Sequence, residues 1–561
     1  MPRITGNQFL AHILKGYGVS HVFYMLAIAK TALYEMKLLG IRPVLVHSEK
    51  AAAYMADGYA RASHCPGVCF AQSVGAANLS AGLQDAYLGL SPVVAITGRR
   101  PPLDSYRHAY QEIVHPPLFA PVVKFDADVN SLDELPLLLR QAFREATSGA
   151  PAPVHLDLLG MAGAVTLGTE ADLEITVEEA FTQYPAFRPE PSLQSVQEAA
   201  LVLTAAQKPV IVAGGGVSAS GAQEEVRKLA ELLSIPVATS LNGKGAILED
   251  HPLSVGVVGS YSRWCANQIV SEADLVMFIG SHTGSQVTNE WQVPPVGTPV
   301  IQIDITPSEL GRNYPAKAVL LGDAKVTLQK MIEVSKPRMP NTDWARRVKE
   351  ITDEWRREVT PLCDSNDVPM RPERLCKELM DFLPTDAVLV SDTGHAGIWT
   401  GTLVELRHSN QKYLRAAGSL GWALPASIGA KCAVPERPVI CFTGDGGFWY
   451  HFAELETAVR YGINIIVVLN NNRSLNQSRK GYNDKASDDL WQYSEVDLSK
   501  LAQDMGCFAI RVEESAGLRP AFEQALDSAR PAVVEVITDK DVVAPPPWAS
   551  EKPKTEASIQ P

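Results

Sequence analysis

Residues 438–472 of the chain read PVICFTGDGGFWYHFAELETAVRYGINIIVVLNNN. An apolar run ends in Thr443-Gly444-Asp445-Gly446-Gly447, a helical pattern follows, and a second apolar run ends in three asparagines. Two apolar strands joined by a helix are typical of a parallel sheet, and ligands of such sheets bind beyond the carboxyl ends of the strands. The stretch therefore predicts a binding site at which Asp445 and the asparagines meet.

The residue types at these two strand ends suit a divalent cation that carries a phosphate. The glycines beside Asp445 would let backbone N–H groups approach a ligand, and a helix N-terminus favours phosphate. Without a cation, the aspartate would repel that phosphate. Carboxylate, amide and carbonyl oxygens are the ligands that Mg²⁺ prefers, so we expect Asp445, Asn472 and a nearby carbonyl to hold it.

Strands and helices alternate along most of the 561 residues, which predicts an α/β fold with three doubly wound parallel sheets. Acidic and proline-bearing stretches separate blocks at 1–170, 191–335 and 371–540, and a tail with little core potential follows at 541–561. Residues 67–98 and 438–471 both read strand, small-residue turn, helix, strand. This similarity favours related folds for the first and third blocks, although a generic α/β unit would look much the same.

Composition narrows the class of partner. Lys and Arg total 50 against 63 Asp and Glu, a formal charge of −13, which argues against nucleic acid or an anionic membrane as the main partner. The N-terminus lacks a signal-peptide pattern, and no apolar run reaches the roughly 18 residues of a membrane span. We therefore expect a cytoplasmic protein with a small-molecule substrate. The eight cysteines form no C-x-x-C pair and are predicted to be buried free thiols.

The GDGG…NNN stretch resembles the thiamine-diphosphate motif of the acetolactate synthase-like superfamily. The resemblance covers nearly the whole chain, in the order pyrimidine-binding, central and diphosphate-binding domain. It implies thiamine diphosphate and Mg²⁺ as cofactors, with Asp445, Asn472 and the carbonyl of Ser474 as metal ligands. It also implies a set of residues at the diphosphate: Gly446 and Gly447, with Gly394 and His395 from SDTGHAGIW. A side chain at a helix start is the alternative for His395.

Two further segments resemble the family around the pyrimidine ring of the cofactor. AAGSLGWALPASIGA would offer backbone contacts from Gly418 and Leu420, and Leu420 would force the cofactor to bend. VLVHSEKAAAYMADGYARA places Glu49 where the family has a glutamate that hydrogen-bonds the ring. That role needs a dry pocket and a protonated carboxylic acid, whereas a glutamate in a first helical turn is otherwise simply favoured by the helix dipole. The resemblance also implies a homodimer or homotetramer with active sites between chains.

The substrate side follows the family less closely. Gln111, in a segment that resembles the family's FQE element, is a candidate catalytic hydrogen-bonding residue or a structural amide. Three stretches depart from the family pattern, and their candidate substrate residues are Tyr24, Met25 and Leu26, Gln72 and Ser73, and Asn476 and Gln477. The first stretch is either rebuilt as core or lines a more apolar pocket. The amides at 476–477 either bind an oxygenated substrate or start a solvated helix.

These residues predict an enzyme that makes or breaks a C–C bond next to a carbonyl group. A carboligase or lyase acting on 2-oxo acids or 2-hydroxy ketones is favoured, with a 2-oxo acid decarboxylase and a 1,2-diketone hydrolase as alternatives. A non-catalytic cofactor-binding subunit would not need Glu49. The central block resembles segments that contact FAD but lacks the family's arginine-bearing segment, so FAD stays open. It also lacks a full G-x-G-x-x-G, which disfavours a dehydrogenase.

Overall fold

The computed structural model describes residues 3–168, 170–479 and 490–548. These residues form three six-stranded sheets, all of them parallel and flanked by helices, so the predicted α/β fold class is confirmed. The chain divides into two compact units. The first contains residues up to 188 together with 363–400 and 408–543, and the second contains 189–362, 401–407 and the described residues from 544.

The N-terminal part of the first unit carries one sheet. Its elements in chain order are β1 Arg3–Thr5, α1 Gly6–Gly16, β2 His21–Tyr24, α2 Lys30–Leu38, β3 Arg42–Leu45, α3 Glu49–Ser63, β4 Gly67–Ala71, α4 Gly75–Leu88, β5 Val93–Arg99, α5 Pro116–Phe119, β6 Phe125–Val129, α6 Leu135–Thr147, β7 Val154–Leu159 and β8 Glu170–Asp172. The sheet order is β3-β2-β4-β5-β7-β6, while β1 and β8 form a separate antiparallel pair. Its inner strands are buried runs of aliphatic residues, as expected when helices cover both faces.

The second unit carries the central sheet. Its elements are α7 Leu193–Ala205, β9 Pro209–Ala213, α8 Gly215–Ser220, α9 Gln223–Leu233, β10 Val237–Thr239, β11 Ser254–Val257, α10 Trp264–Glu272, β12 Leu275–Ile279, β13 Val300–Asp304, β14 Ala316–Leu321, α11 Ala324–Val334 and α12 Thr342–Cys363. The sheet order is β11-β10-β9-β12-β13-β14.

The C-terminal part of the first unit carries the third sheet. Its elements are α13 Pro372–Phe382, β15 Val388–Ser391, α14 His395–Leu403, β16 Lys412–Arg415, α15 Ala423–Ala433, β17 Val439–Gly444, α16 Asp445–His451, α17 Glu454–Tyr461, β18 Ile466–Asn471, α18 Asn476–Arg479, α19 Leu498–Asp504, β19 Phe508–Val512, α20 Leu518–Asp527 and β20 Ala532–Ile537. The order is β16-β15-β17-β18-β20-β19, so β17 and β18 of the opening stretch are neighbours. The domain boundaries given above stay a prediction.

Helices α3 and α15 join the two sheets of the first unit into one core. A Cβ at Gly58 would lie 2.1 Å from the Ala426 carbonyl oxygen, and one at Gly429 would lie 1.8 Å from that of Met55. Only glycine permits backbones this close. Trp422, fully buried just before α15, belongs to the same apolar cluster as Tyr54 of α3. Residues 49–63 are therefore fixed against residues 423–433 in the same chain.

All eight cysteines are free thiols, and six of them are buried. Among the described residues, no helix combines the length and the apolar character needed to cross a membrane. The predicted tail is packed at its start: the Asn476 side-chain amide donates to the Val542 carbonyl at 3.0 Å. Within the second unit, the Asn267 amide donates to the Trp548 carbonyl at 3.0 Å. Residues 549–561 of that tail lie outside the described residues.

Candidate cofactor site

The structure brings the two predicted side-chain metal ligands together at the carboxyl edge of the third sheet. Asp445 begins α16 directly after β17, and Asn472 follows β18. The Ser474 amide donates to Asp445 Oδ2 at 2.9 Å and to Asn472 Oδ1 at 3.1 Å. Both oxygens thus lie next to the same backbone nitrogen. Their placement follows from strand pairing, because Gly444 lies opposite Asn470 in the sheet.

The Asp445 carboxylate is buried, with 3% exposure. Burial raises its pKa to about 7, although the amides of Gly446 and Ser474 donate to it and oppose that rise. Among the described residues, no Lys, Arg or His side chain offsets its charge. A buried carboxylate without a cationic partner is costly, and a divalent cation would remove that cost.

The three consecutive asparagines have different surroundings. The Asn470 side chain accepts a hydrogen bond from the Thr538 hydroxyl. The Asn471 amide donates to the buried Glu535 carboxylate at 2.7 Å. The Asn471 side-chain oxygen accepts the Arg473 amide at 3.0 Å, and that amide also hydrogen-bonds Asp445. The Asn472 side-chain oxygen shares the Ser474 amide with Asp445.

The glycines at the predicted diphosphate side are required by the protein's own packing. A Cβ at Gly446 would lie 2.5 Å from Leu475 Cδ2, and one at Gly447 would lie 2.8 Å from Asp392 Oδ2. Gly394 has a positive φ of 67°, and a Cβ there would lie 2.6 Å from Gln477 Oε1. The structure therefore places Gly394, just before His395 and α14, against one of the predicted substrate residues.

Asp392 is a residue of this site that the sequence reasoning missed. Its Oδ1 accepts the Gly421 amide at 3.0 Å, and its Oδ2 accepts the Thr443 hydroxyl at 3.1 Å and the Ala423 amide at 3.4 Å. Burial raises its pKa to about 6. Asp392 thereby ties the ends of β15 and β17 to the turn before α15. The sequence could have indicated Asp392, because this residue ends an apolar run just as Asp445 does.

Gly418 and Leu420 lie in the turn between β16 and α15. The Gly418 amide donates to Asp85 Oδ2 at 3.2 Å, and Gly418 is exposed, with no atom within 4 Å of a Cβ built there. Leu420 is half-buried, and Gly421 follows it with a φ of 84°. Asp85 of α4 thus hydrogen-bonds one side of this turn, and the other side is open.

Glu49 is the first residue of α3 and lies against the start of α4. The Asn78 side-chain amide donates to Glu49 Oε2 at 3.2 Å, and a Cβ at Gly75 would lie 2.6 Å from Glu49 Oε1. The glutamate is half-buried in the single chain. The dry surroundings expected for a protonated glutamate are therefore only partly supplied by this chain's own residues.

Gln111 lies beside the altered strand end of the first sheet. The Ser73 hydroxyl donates to the Gln111 carbonyl at 2.6 Å, and Gln111 has a positive φ of 61°. Its side-chain oxygen is buried and has no hydrogen-bond partner among the described residues. A buried amide oxygen of this kind is an unused acceptor. Gln72, next to Ser73, is half-buried.

The remaining predicted substrate residues differ in exposure. Tyr24 and Met25 are half-buried, and Leu26 is 48% exposed. Ile28, two residues further on, is fully buried, so the rebuilt turn is core only at its far end. Asn476 is 3% exposed, and its amide binds Val542 as described above, which makes it an anchor for the chain's C-terminal segment.

Comparisons with known proteins identify the family of the chain. Three family models match: "Thiamine pyrophosphate enzyme, N-terminal TPP binding domain" at residues 4–117, "central domain" at 196–331 and "C-terminal TPP binding domain" at 392–536. The chain is 34% identical over 524 residues to a probable acetolactate synthase large subunit of Methanocaldococcus jannaschii, covering 91% of this chain and 87% of that protein. The chain belongs to the thiamine pyrophosphate enzymes.

Two other relatives carry similar names. The chain is 33% identical over 518 residues to the probable acetolactate synthase large subunit of Methanococcus aeolicus, covering 88% of this chain and 85% of that protein. It is 29% identical over 548 residues to the acetolactate synthase large subunit of Lactococcus lactis, covering 96% of this chain and 93% of that protein. The chain is thus a thiamine-diphosphate-dependent enzyme of the acetolactate synthase-like superfamily.

The residues at the third sheet fit such a cofactor. A buried, uncompensated carboxylate and an amide oxygen share one edge, and they form a hard-oxygen donor set of the kind that binds a phosphate-bound cation. The turn at Gly418 is open on one side, and the side-chain oxygen of Gln111 is unused. These residues are therefore compatible with a phosphate-bound cation at the edge of the third sheet.

Proposed function

We propose that this enzyme uses thiamine diphosphate with Mg²⁺ to make or break a C–C bond next to a carbonyl group. A carboligase or lyase acting on 2-oxo acids or 2-hydroxy ketones is the activity we infer. The observation that carries the proposal is the pairing of the buried Asp445 carboxylate with the Asn472 side-chain oxygen beside the Ser474 amide. The acetolactate synthase names of the relatives support carboligation.

In this proposal the third sheet holds the charged end of the cofactor. Asp445, Asn472 and the Ser474 carbonyl bind Mg²⁺, and the metal neutralises the buried aspartate. The residues proposed to lie at the diphosphate are Gly394, His395, Gly446 and Gly447. When bound, thiamine diphosphate supplies the group that stabilises a carbanion next to a carbonyl. Removing the metal ligands should therefore weaken cofactor binding and abolish turnover together.

Glu49 is the proposed acid at the pyrimidine ring. As a carboxylic acid it would donate its proton to a ring nitrogen, which requires the neutral form and a water-poor environment. Because Glu49 is half-buried in one chain, we propose that a second copy completes its pocket. Apolar side chains exposed in the first unit, Leu26, Val74 and Tyr450 among them, would be covered in such a homodimer or homotetramer.

The substrate would lie between the first-sheet strand ends and the residues that follow β18. Gln111 would accept a hydrogen bond with its unpaired side-chain oxygen, and Gln477 would form one from beside Gly394. Tyr24, Met25 and Leu26 would form the apolar side of the pocket. We assign Asn476 a positioning role, because its amide is engaged with Val542.

The glycines at 214–216, in the unit with the central sheet, do not by themselves indicate FAD. Cβ atoms at Gly214 and Gly216 would lie 2.2 Å from the Gly280 carbonyl oxygen and 2.7 Å from Gly280 Cα, so close strand packing already requires glycine at both positions. The absorption spectrum of the purified protein tests for FAD directly. Flavin absorbance near 450 nm would assign it, and its absence from protein purified with FAD would exclude a tightly bound flavin.

The test is a panel of 2-oxo acids, acyloins and cyclic diketones supplied with thiamine diphosphate and Mg²⁺, with products identified by mass spectrometry. Formation of an acyloin or a 2-hydroxy-3-oxo acid supports carboligation. CO₂ and free aldehyde without a ligated product would indicate a decarboxylase, and ring-opened acids a hydrolase. Asp445→Asn is the matched control and should lose every product. No cofactor-dependent product from any substrate, under conditions where the cofactor binds, would contradict the proposed activity.

A further inference from the structure

The Asp85 carboxylate is a buried charge in a helix that the proposed function does not yet use. Asp85 lies in α4 and has no exposed surface. Its Oδ1 accepts the Ala417 amide at 2.8 Å, and its Oδ2 accepts the amides of Gly418 at 3.2 Å and Ser419 at 2.9 Å. One carboxylate thus binds three consecutive backbone N–H groups of a turn more than 300 residues away in the chain.

Three converging N–H groups fix the direction of a turn far more tightly than one. A carboxylate that accepts hydrogen bonds from N–H groups forms charge-assisted bonds, which are about twice as strong as neutral ones. The 417–419 turn is bound to α4 through its N–H groups. Its middle residue, Gly418, is exposed and has open space beside it. The turn is therefore pre-ordered, with one side free for a ligand.

A second set of contacts fixes the start of the same turn. Arg61 donates to both carboxylate oxygens of Asp57 at 2.7 Å and to the Arg415 carbonyl at 2.8 Å. The Trp422 indole donates to Asp57 at 2.9 Å, and the Arg61 guanidinium lies 4.8 Å from the centre of that ring system. The residues on both sides of the turn are thus anchored to α3, while Asp85 anchors its middle.

We propose that Asp85 is a positioning residue of the cofactor site, which orients the 417–419 backbone to receive the pyrimidine half of thiamine diphosphate. The proposal rests on the proposed function and on the family resemblance, which implies that Gly418 and Leu420 offer backbone contacts to the pyrimidine ring. Asp85 acts through the turn and contacts no reacting atom. Its loss should affect ring recognition and leave the diphosphate end, which we place at residues that follow β15, β17 and β18, unchanged.

The test compares Asp85→Asn with Asp157→Asn, a buried aspartate of the same unit that binds Thr97 and His115 instead. An asparagine keeps the shape of Asp85 but turns one acceptor oxygen into an N–H donor that faces backbone N–H groups. Losing hydrogen bonds to a charged group costs about 1.5–3 kcal/mol, so Kd for thiamine diphosphate should rise about ten- to hundred-fold. Kd for inorganic diphosphate with Mg²⁺ should stay within about twofold.

The outcomes are separable by titration calorimetry on the full chain with Mg²⁺. In Asp157→Asn, both Kd values should match the parent even if the melting temperature falls. A parent-like thiamine diphosphate Kd in Asp85→Asn, or equal losses for both probes, would overturn the role of Asp85. Failure of the parent itself to bind thiamine diphosphate would instead contradict the proposed function.

Hydrogen exchange on the parent provides a measurement that needs no folded variant. The amides of residues 417–419 should be protected in the cofactor-free protein, because Asp85 already binds them. Cofactor should add little further protection there. Fast exchange at these amides before cofactor is added would show that the turn is not pre-ordered, and would overturn the proposal.

Discussion

Replacing Asp392 with asparagine should change how stability depends on pH. Burial raises the pKa of Asp392 from 3.8 to about 6, so between pH 4 and 6 the folded chain keeps a proton that the unfolded chain has released. The stability contributed by this carboxyl therefore falls as pH rises through that window. At 1.36 kcal/mol per pKa unit, the loss of stability is about 3 kcal/mol by pH 7. Water does not screen this carboxyl, because Asp392 is only 1% exposed.

Asp392→Asn removes this dependence and adds a cost that does not vary with pH, since its amide N–H group would face the donors Thr443 and Ala423. The difference in unfolding free energy between parent and variant should thus shrink by about 3 kcal/mol from pH 4 to pH 7. Urea unfolding of the cofactor-free chain, followed by tryptophan fluorescence, measures it. Thr443→Val removes one donor but keeps the carboxyl, and it should keep the dependence. A parent–variant difference in unfolding free energy that is constant with pH would show that the Asp392 carboxyl is not the source of this pH dependence.

Three further predictions address other parts of the molecule. Glu49→Gln should still bind thiamine diphosphate by calorimetry yet lose about 100- to 10,000-fold in kcat, and parent-like turnover would exclude Glu49 as the acid. Gly429→Ala should destabilise the fold by at least about 3 kcal/mol, because its Cβ would lie 1.8 Å from the Met55 oxygen; Gly284→Ala, with nothing within 4 Å, is the control, and equal melting temperatures would contradict the close packing. Burial lowers the pKa of His451 to about 4, so its contribution to stability should fall by about 3 kcal/mol as pH drops from 6.5 to 4, and His451→Gln should remove that fall in the same unfolding assay.

The inner strands of all three sheets were predictable from sequence, whereas most edge strands were not. Runs such as 439–442 and 466–469 are buried on both faces and contain only apolar residues. Five strands of the three six-stranded sheets were not predicted: β6, β11, β14, β16 and β19. Each lies at an edge of its sheet. Four of the five keep several exposed or half-buried positions, because one side of an edge strand faces solvent, and their sequences are therefore less apolar than those of the inner strands. The short pair β1 and β8 was not predicted either.

Some residues of the site were likewise predictable from sequence, whereas others were revealed only by the fold. The proximity of Asp445 and Asn472 was predictable, because both follow apolar strands that pair side by side. Asp85 was not, because a single acid in a helix of small and apolar residues gives no indication of a partner more than 300 positions away. The role of Gly446 and Gly447 at the diphosphate stays a prediction. Leu475 and Asp392 fill the space that a Cβ would need there, which only tertiary packing reveals.

In the proposed function, Asp445 and Asn472 form a metal site through which the cofactor binds. The direct measurement is calorimetric titration of thiamine diphosphate into the parent and into Asp445→Asn, each with Mg²⁺ and with EDTA. Losing even an indirect contact to a metal typically costs 10- to 100-fold in affinity, so losing a ligand should cost about a hundred-fold or more. We expect tight binding of thiamine diphosphate only in the parent with Mg²⁺. Equal affinities in parent and variant, or binding unaffected by EDTA, would contradict the proposed metal site.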